Sequence, residues 1–242
     1  MRKKPFISCH KLVEYCYASS TKRNTIIENL LKPKVYLFDT CYPAIEAATL
    51  DMLQSDPRSD QRLLELDASL MLRRPSTDHE EARILGAHDA IEFARLMKWP
   101  ALSDTSLARL DSTIREVSIA GLMVRMGAYS VLTRSRHGQS GNQIGILKPY
   151  IGKTFSLFHT GDTNRAALYA ALLHLIAERH LNHLGTAALD LCWVGDIFSQ
   201  RSLSAPKSFL QRRKLLEAAA LEIVDRWPSV AARLSKSARE AA

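Results

Sequence analysis

Beyond Val117 the hydrophobic pattern of this chain changes period, and that change limits the folds open to it. Up to about residue 110, apolar side chains recur at three- and four-residue intervals, the repeat of helices with one buried face. From Val117 they gather into short runs rich in Val, Ile and Leu. Val117, Ile119 and Leu122–Met126 form one expected strand, Tyr129–Arg134 a second and Gln143–Leu147 a third. The Gly-rich polar stretch from Ser135 to Asn142 reads as the hairpin loop between the last two. A strongly apolar helical segment, Thr163–Leu181, separates the third strand from a fourth at Ala188–Phe198. A helix between two strands is a crossover connection, which only a mixed or parallel sheet uses. The expected fold is therefore mixed α+β: a helix-rich N-terminal region, then a small βββαβ mixed sheet flanked by helices.

The helical half has readable stops and starts. Ser8 is placed to cap a helix over Cys9–Ala18, and Ser19-Ser20-Thr21 breaks it and caps another over Lys22–Leu31, ended by Pro33. This pair is expected as an αα-hairpin with Lys22, Arg23, Lys32 and Lys34 nearby, a form compatible with a DNA-reading helix-turn-helix. Tyr42–Gln54 follows with Pro43 in its first turn, then Arg62–Leu72. A longer helix from His79 to Lys98 is capped by Thr77 or Asp78 and stopped by Trp99-Pro100. Ser103 opens a short helix through Leu110. At the C-terminal end, Lys207–Arg226 reads as a helix stopped by Trp227-Pro228, with a basic, frayed tail after Val230. Two divisions of the chain are open: a helical region 1–100 followed by an α/β core 101–242 with its C-terminal helix, or one continuous domain.

Charge is unevenly spread. Residues 1–36 carry 8 Lys/Arg against 2 Asp/Glu, residues 37–120 carry 9 against 15, and residues 121–242 carry 16 against 8. Basic ends around an acidic middle suit a polyanionic partner, while the acidic middle and apolar helices offer a face to a protein partner. No run approaches the ~18 apolar residues of a membrane helix, and the basic N-terminus lacks the apolar core of a secretory signal. Cys9, Cys16, Cys41 and Cys192 form no CxxC pair and are expected as reduced thiols in a cytoplasmic protein.

Several motifs invite chemistry and do not complete it. Gly152-Lys153-Thr154 lacks the glycine a phosphate-binding loop needs five positions earlier, where Leu147 stands. His174, His180 and His183 lie on or after one helix, yet no HExxH accompanies them, and a helix-end role is expected in place of a metal site. Asp190 and Asp196 are spaced to share a face of the fourth strand; they are expected to cap it and pair with Arg201, with a hydrolytic role as the alternative. No GxSxG elbow and no cofactor motif is present.

The third expected strand ends in Ile144-Gly145-Ile146-Leu147-Lys148. The order helix, strand, strand, strand, helix, strand over residues 103–199, with a lysine on the third strand, resembles the core of the PD-(D/E)XK nuclease superfamily. The resemblance implies a metal held by two carboxylates, one near the end of the second strand and one two residues before the lysine, which together neutralise charge during phosphodiester cleavage. Here Ile146 stands two before Lys148, and Met126–Val131 carries no acid; Glu116 is the one candidate from a leading element. The resemblance therefore implies a degenerate core that holds nucleic acid without cleaving it, a type found in bacterial mobile-element and antiviral phage-defence systems. No cofactor or metal is expected, and DNA is a more natural partner than RNA. The cations expected to contact it are Lys22, Arg23, Arg134, Arg136, Lys148, Lys153, Arg212, Arg213 and Lys214, with His137 and Lys207 beside them. The alternatives are an adaptor subunit of a protein complex and a metal-dependent hydrolase.

Overall fold

A computed structural model describes residues 4–32, 41–55, 58–100, 102, 104–108, 115–135, 141–152, 155–158 and 162–240. In chain order the elements are β1 (Phe6–Ser8), α1 (Cys9–Tyr17), α2 (Ser20–Leu31), α3 (Tyr42–Gln54), α4 (Gln61–Met71), α5 (Asp78–Leu96), β2 (Ser106–Ala108), β3 (Glu116–Ile119), β4 (Leu122–Arg125), β5 (Ser130–Ser135), β6 (Asn142–Tyr150), α6 (Asn164–His180), β7 (Thr186–Ala187), a 3-10 turn (Leu189–Leu191), β8 (Trp193–Asp196), β9 (Arg201–Ser204) and α7 (Phe209–Glu240). The protein is mixed α+β with a helix-rich N-terminal region. Its residues fall into two compact units: Met1–Phe38 with Ile114–Gly127 and Ser208–Ala242, and Asp39–Thr113 with Ala128–Lys207. No helix among the described residues is long and apolar enough to cross a membrane.

The first unit is a three-stranded sheet, in the order β1-β4-β3, packed with α1, α2 and α7. β1 runs parallel to β4, with Phe6 opposite Met123, and leads directly into α1. The stretch expected as one strand over Val117–Met126 is instead the β3–β4 hairpin. Ala120 (φ 47°) and Gly121 (φ 82°) make its two-residue turn, and the primed geometry that joins antiparallel strands needs positive φ at both. The C-terminal helix also departs from expectation. Pro228 does not stop it; the helix runs through to Glu240. Trp227 is buried against the Phe6 ring at 5.8 Å and Val230 is buried one turn on, so packing on both sides of the proline offsets its lost hydrogen bond.

The second unit is a sheet in the order β2-β5-β6-β8-β9, with β7 beside β6. β6 is its axis, antiparallel to β5 and parallel to β8, and the parallel step crosses through α6 as the sequence order requires. Ala166–Ala177 of α6 are all buried, which explains why this helix is apolar on every side. The segment expected as a helix from Ser103 to Leu110 provides β2, with Leu107 opposite Leu132 of β5; residues 103, 109 and 110 lie outside the described part. The fourth strand is shorter than Ala188–Phe198, because Leu189–Leu191 coils into the 3-10 turn and only Trp193–Asp196 pairs with β6. On the helical side, the Thr77 hydroxyl caps α5 by accepting the Glu80 N–H at 3.2 Å, and the Glu80 carboxylate reaches back to Ser76.

Candidate nucleic-acid interface

Lys148 lies on β6, the central strand, so its placement differs from the sheet edge that its position before Pro149 suggests. β5 ends opposite Leu147, and beyond that point β6 is paired only by β8, which leaves room for a proline without loss of a ladder bond on both sides. The side chain turns into the unit, and the residue is 4% exposed. It donates to the carbonyl of Ala128 at 2.9 Å and to Glu46 Oε2 at 3.1 Å. Glu46 comes from α3, 102 positions earlier in the chain. Burial pushes its carboxyl above the ordinary range, and the adjacent Lys148 opposes that shift without cancelling it. A carboxylate does therefore accompany the lysine, but from a helix and, among the described residues, alone. Ile146, two residues before Lys148, is fully buried. On β5, Ser130 Oγ accepts from Gln54 of α3 at 2.9 Å, so that strand supplies a hydroxyl there.

The other acids considered from sequence are placed elsewhere. Glu116 sits on the strand β3 of the first unit, not on a leading helix, and pairs with Arg125 at 2.9 Å. Asp190 lies on the 3-10 turn, and its partner is Arg134 at 2.7 Å, not Arg201. Asp196 is buried on β8 and accepts the Leu157 N–H at 2.9 Å and the Ser199 N–H at 3.4 Å. Burial raises its carboxyl, against the pull of these bonds. Asp190 and Asp196 thus do not share a strand face, and each has a structural partner. Arg201 stacks over Phe158 at 4.6 Å. Among the described residues no three His, Cys, Asp or Glu side chains converge as metal ligands. His174 is buried within α6, while burial, with Arg179 alongside, lowers His180 at the helix end. A Cβ on Gly152 would lie 1.9 Å from the Tyr150 hydroxyl, so that glycine makes room for a tyrosine.

The expected cations fall into three groups. Arg136 and Lys153, with His137, lie outside the described residues. Lys148 and Arg134 belong to the second unit and hold internal contacts, Arg134 by donating two hydrogen bonds to Gln143 Oε1 besides its ion pair with Asp190. Lys207 is the last residue of the second unit, and the remaining five, Lys22, Arg23, Arg212, Arg213 and Lys214, belong to the first. Arg23 faces inward, reaching Glu222 at 2.9 Å and the carbonyl of Tyr15. Lys22 is half exposed and meets Glu14 at 3.0 Å, where Lys11 also arrives at 2.5 Å. Burial would raise Glu14, but the hydrogen bonds from the two lysines prevail and lower it. One carboxylate between two ammoniums leaves this corner net positive. Arg213 stacks over Phe209 at 4.8 Å, Arg212 bonds Ser208, and Lys214 is exposed on α7.

The division into units also sorts the charge. The first unit holds 17 Lys/Arg against 7 Asp/Glu, a balance of +10; the second holds 16 against 18, a balance of −2. Two basic stretches at opposite ends of the sequence thus become one basic body. The chain matches no known protein family and no curated protein.

Proposed function

We propose that this protein binds nucleic acid through its first unit and that the second unit is a non-cleaving core of PD-(D/E)XK type. The observation that carries the binding reading is the charge segregation: a balance of +10 in one unit against −2 in the other. Such a field attracts a polyanion and releases its counterions on contact. The core reading is supported by the strand pattern. β2 stands in place of the first strand expected at Val117–Met126, and β2, β5 and β6 pair antiparallel in turn, α6 crosses over, β8 joins parallel, and a lysine stands on the third of these strands. Absence of cleavage is supported by the carboxylates: among the described residues Glu46 is the one acid paired with Lys148, and its charge is already matched. DNA is the proposed partner, in a bacterial mobile-element or phage-defence setting. The test is fluorescence anisotropy with mixed-sequence duplex DNA over a salt series. Contact with three or more phosphates gives a log–log slope steeper than about −2.7. Absence of binding at low salt overturns the binding reading. Cleavage of DNA with Mg²⁺, Mn²⁺ or Zn²⁺ overturns the non-cleaving one.

A further inference from the structure

We infer that α2 is a reading helix for duplex DNA, entering the major groove with Thr21, Thr25 and Asn29 toward base edges and Lys22 and Lys32 toward phosphates. This rests on the proposal that the first unit binds nucleic acid, and it names the face and the form of the ligand. The argument starts from which side of α2 is left open. Ile26 and Ile27 are buried, and Arg23 is tied to Glu222 of α7. Asn24 accepts from Arg226, and Glu28 is paired with Arg233, both on α7. Thr21, Lys22, Thr25, Asn29 and Lys32 are exposed. At 100° per residue these five positions fall within about 100° of arc, a single stripe along the helix.

The chemistry of that stripe is unlike an ordinary solvated face. Exposed helix faces usually mix both signs of charge, as α5 does here with Glu81, Arg83 and Glu92 exposed. The α2 stripe has two cations, two side chains that both donate and accept (Thr21 and Asn29), and no carboxylate of its own. Its third polar group is the Thr25 hydroxyl, whose proton goes to the Thr21 carbonyl at 3.2 Å while its lone pairs and methyl face outward. The one acid of the helix, Glu28, borders the stripe and is held by Arg233. Asn pairs with adenine through two hydrogen bonds in the major groove, and threonine offers a hydroxyl to a base edge or a methyl to thymine. A 12-residue helix is about 18 Å long, and the groove is about 12 Å wide, enough to admit it. α1 precedes it across two extended residues, Ala18 and Ser19, a link even shorter than the turn of about three to four residues in helix-turn-helix pairs, and α2 is the second helix of the pair, the place of the reading helix in that motif. The Ser19 hydroxyl accepts the Lys22 N–H, and Glu14 of α1 holds the Lys22 ammonium, so the start of α2 is fixed against α1.

The experiment uses the full chain and a pool of 30-base-pair duplexes with a randomised centre, sequenced after binding. The wild-type protein is expected to enrich a short motif. Asn29→Ala should lose discrimination at one position of it by roughly tenfold to a hundredfold, while its affinity for unselected duplex changes about twofold or less. Lys22→Ala and Lys32→Ala should weaken binding to every duplex and each reduce the salt slope by about 0.9. All three side chains are at the surface, and an unchanged melting temperature verifies that the fold is kept. Salt-dependent binding with no enriched motif, an unchanged motif in both Asn29→Ala and Thr25→Ala, or tighter binding of single-stranded DNA or duplex RNA overturns the reading helix and leaves the binding proposal standing. Absence of binding to all of these probes overturns both.

Discussion

Removing the ammonium of Lys148 should destabilise the second unit in a way that depends on pH, and the dependence separates an ion pair from simple packing. In Lys148→Met the Glu46 carboxylate loses its counter-charge, and Ala128 loses the donor at its carbonyl. Stranding one member of a buried pair costs about 3–5 kcal/mol. The Glu46 side chain keeps 17% of its surface, which puts the cost near the lower end, about 3 kcal/mol at neutral pH. For a body of this size that is a fall in Tm of about 6–12 °C. The folded-state pKa of Glu46 is already raised by burial, and loss of Lys148 raises it further. A carboxyl with a raised folded pKa binds more protons folded than unfolded, so stability declines as pH rises from the ordinary carboxylate value to the folded one. The deficit of the variant is therefore full where Glu46 is ionised and shrinks as pH falls through its raised pKa, so it should be smaller in melts at about pH 5 than in melts at about pH 8. The paired change Glu46→Leu/Lys148→Met removes both charges and should recover most of the loss. Urea melts followed by tryptophan fluorescence suit the measurement, since Trp99 and Trp193 both lie in the second unit. An equal deficit at both pH values, or a double variant as unstable as Lys148→Met, refutes the argument.

Three further outcomes follow from local geometry. A Cβ on Gly145 would lie 2.1 Å from the Leu191 carbonyl oxygen, so Gly145→Ala must part β6 from the 3-10 turn and should cost about 1–3 kcal/mol or more in the same urea melts. Asp196→Ala leaves the buried N–H of Leu157 without its acceptor, a loss of about 1–3 kcal/mol; because burial raises the Asp196 carboxyl, the variant should also show a weaker decline of stability with rising pH than the parent. Cys9 and Cys192 are buried and burial pushes the Cys16 thiol up to about 12, so brief iodoacetamide treatment of the folded protein should label the partly exposed Cys41 first, as peptide mass spectrometry would report.

Where local signals decide structure, the sequence is a good guide. α3 spans Tyr42–Gln54 as its Pro43 start suggests, and α5 begins at the Thr77 cap because the hydroxyl accepts the Glu80 N–H and three acids in the first turn, Asp78, Glu80 and Glu81, suit the positive end of the helix dipole. β6, the crossover α6 and β8 follow in the expected order because a continuous apolar run can only be a buried one. The misreadings occur where a distant partner decides. Pro228 would end a helix in isolation, but Phe6, from the opposite end of the chain, supports the turn around it through Trp227. Ser106–Ala108 becomes a strand only because β5 offers it an edge. Glu46 belongs to a helix with no sequence mark of function, and its meaning arises from meeting Lys148 across 102 positions.

The same reasoning applies to charge. Read along the sequence, the basic stretches at residues 1–36 and 121–242 are separate and dilute, and the acidic middle offsets them. The parallel pairing of β1 with β4 and the packing of α7 on α1 and α2 bring the N-terminal stretch together with the last helix. The acidic residues between them mostly enter the other unit. The pairs Arg23–Glu222, Arg226–Glu222 and Arg233–Glu28 then take up carboxylates of α2 and α7 where the helices meet, so the acids are drawn to the joint while the outward stripe of α2 keeps its lysines. Exposed ion pairs of this kind add about 0–1 kcal/mol each to stability. Their larger effect here is on the sign of the field at the surface, and that field is what a polyanion would encounter first.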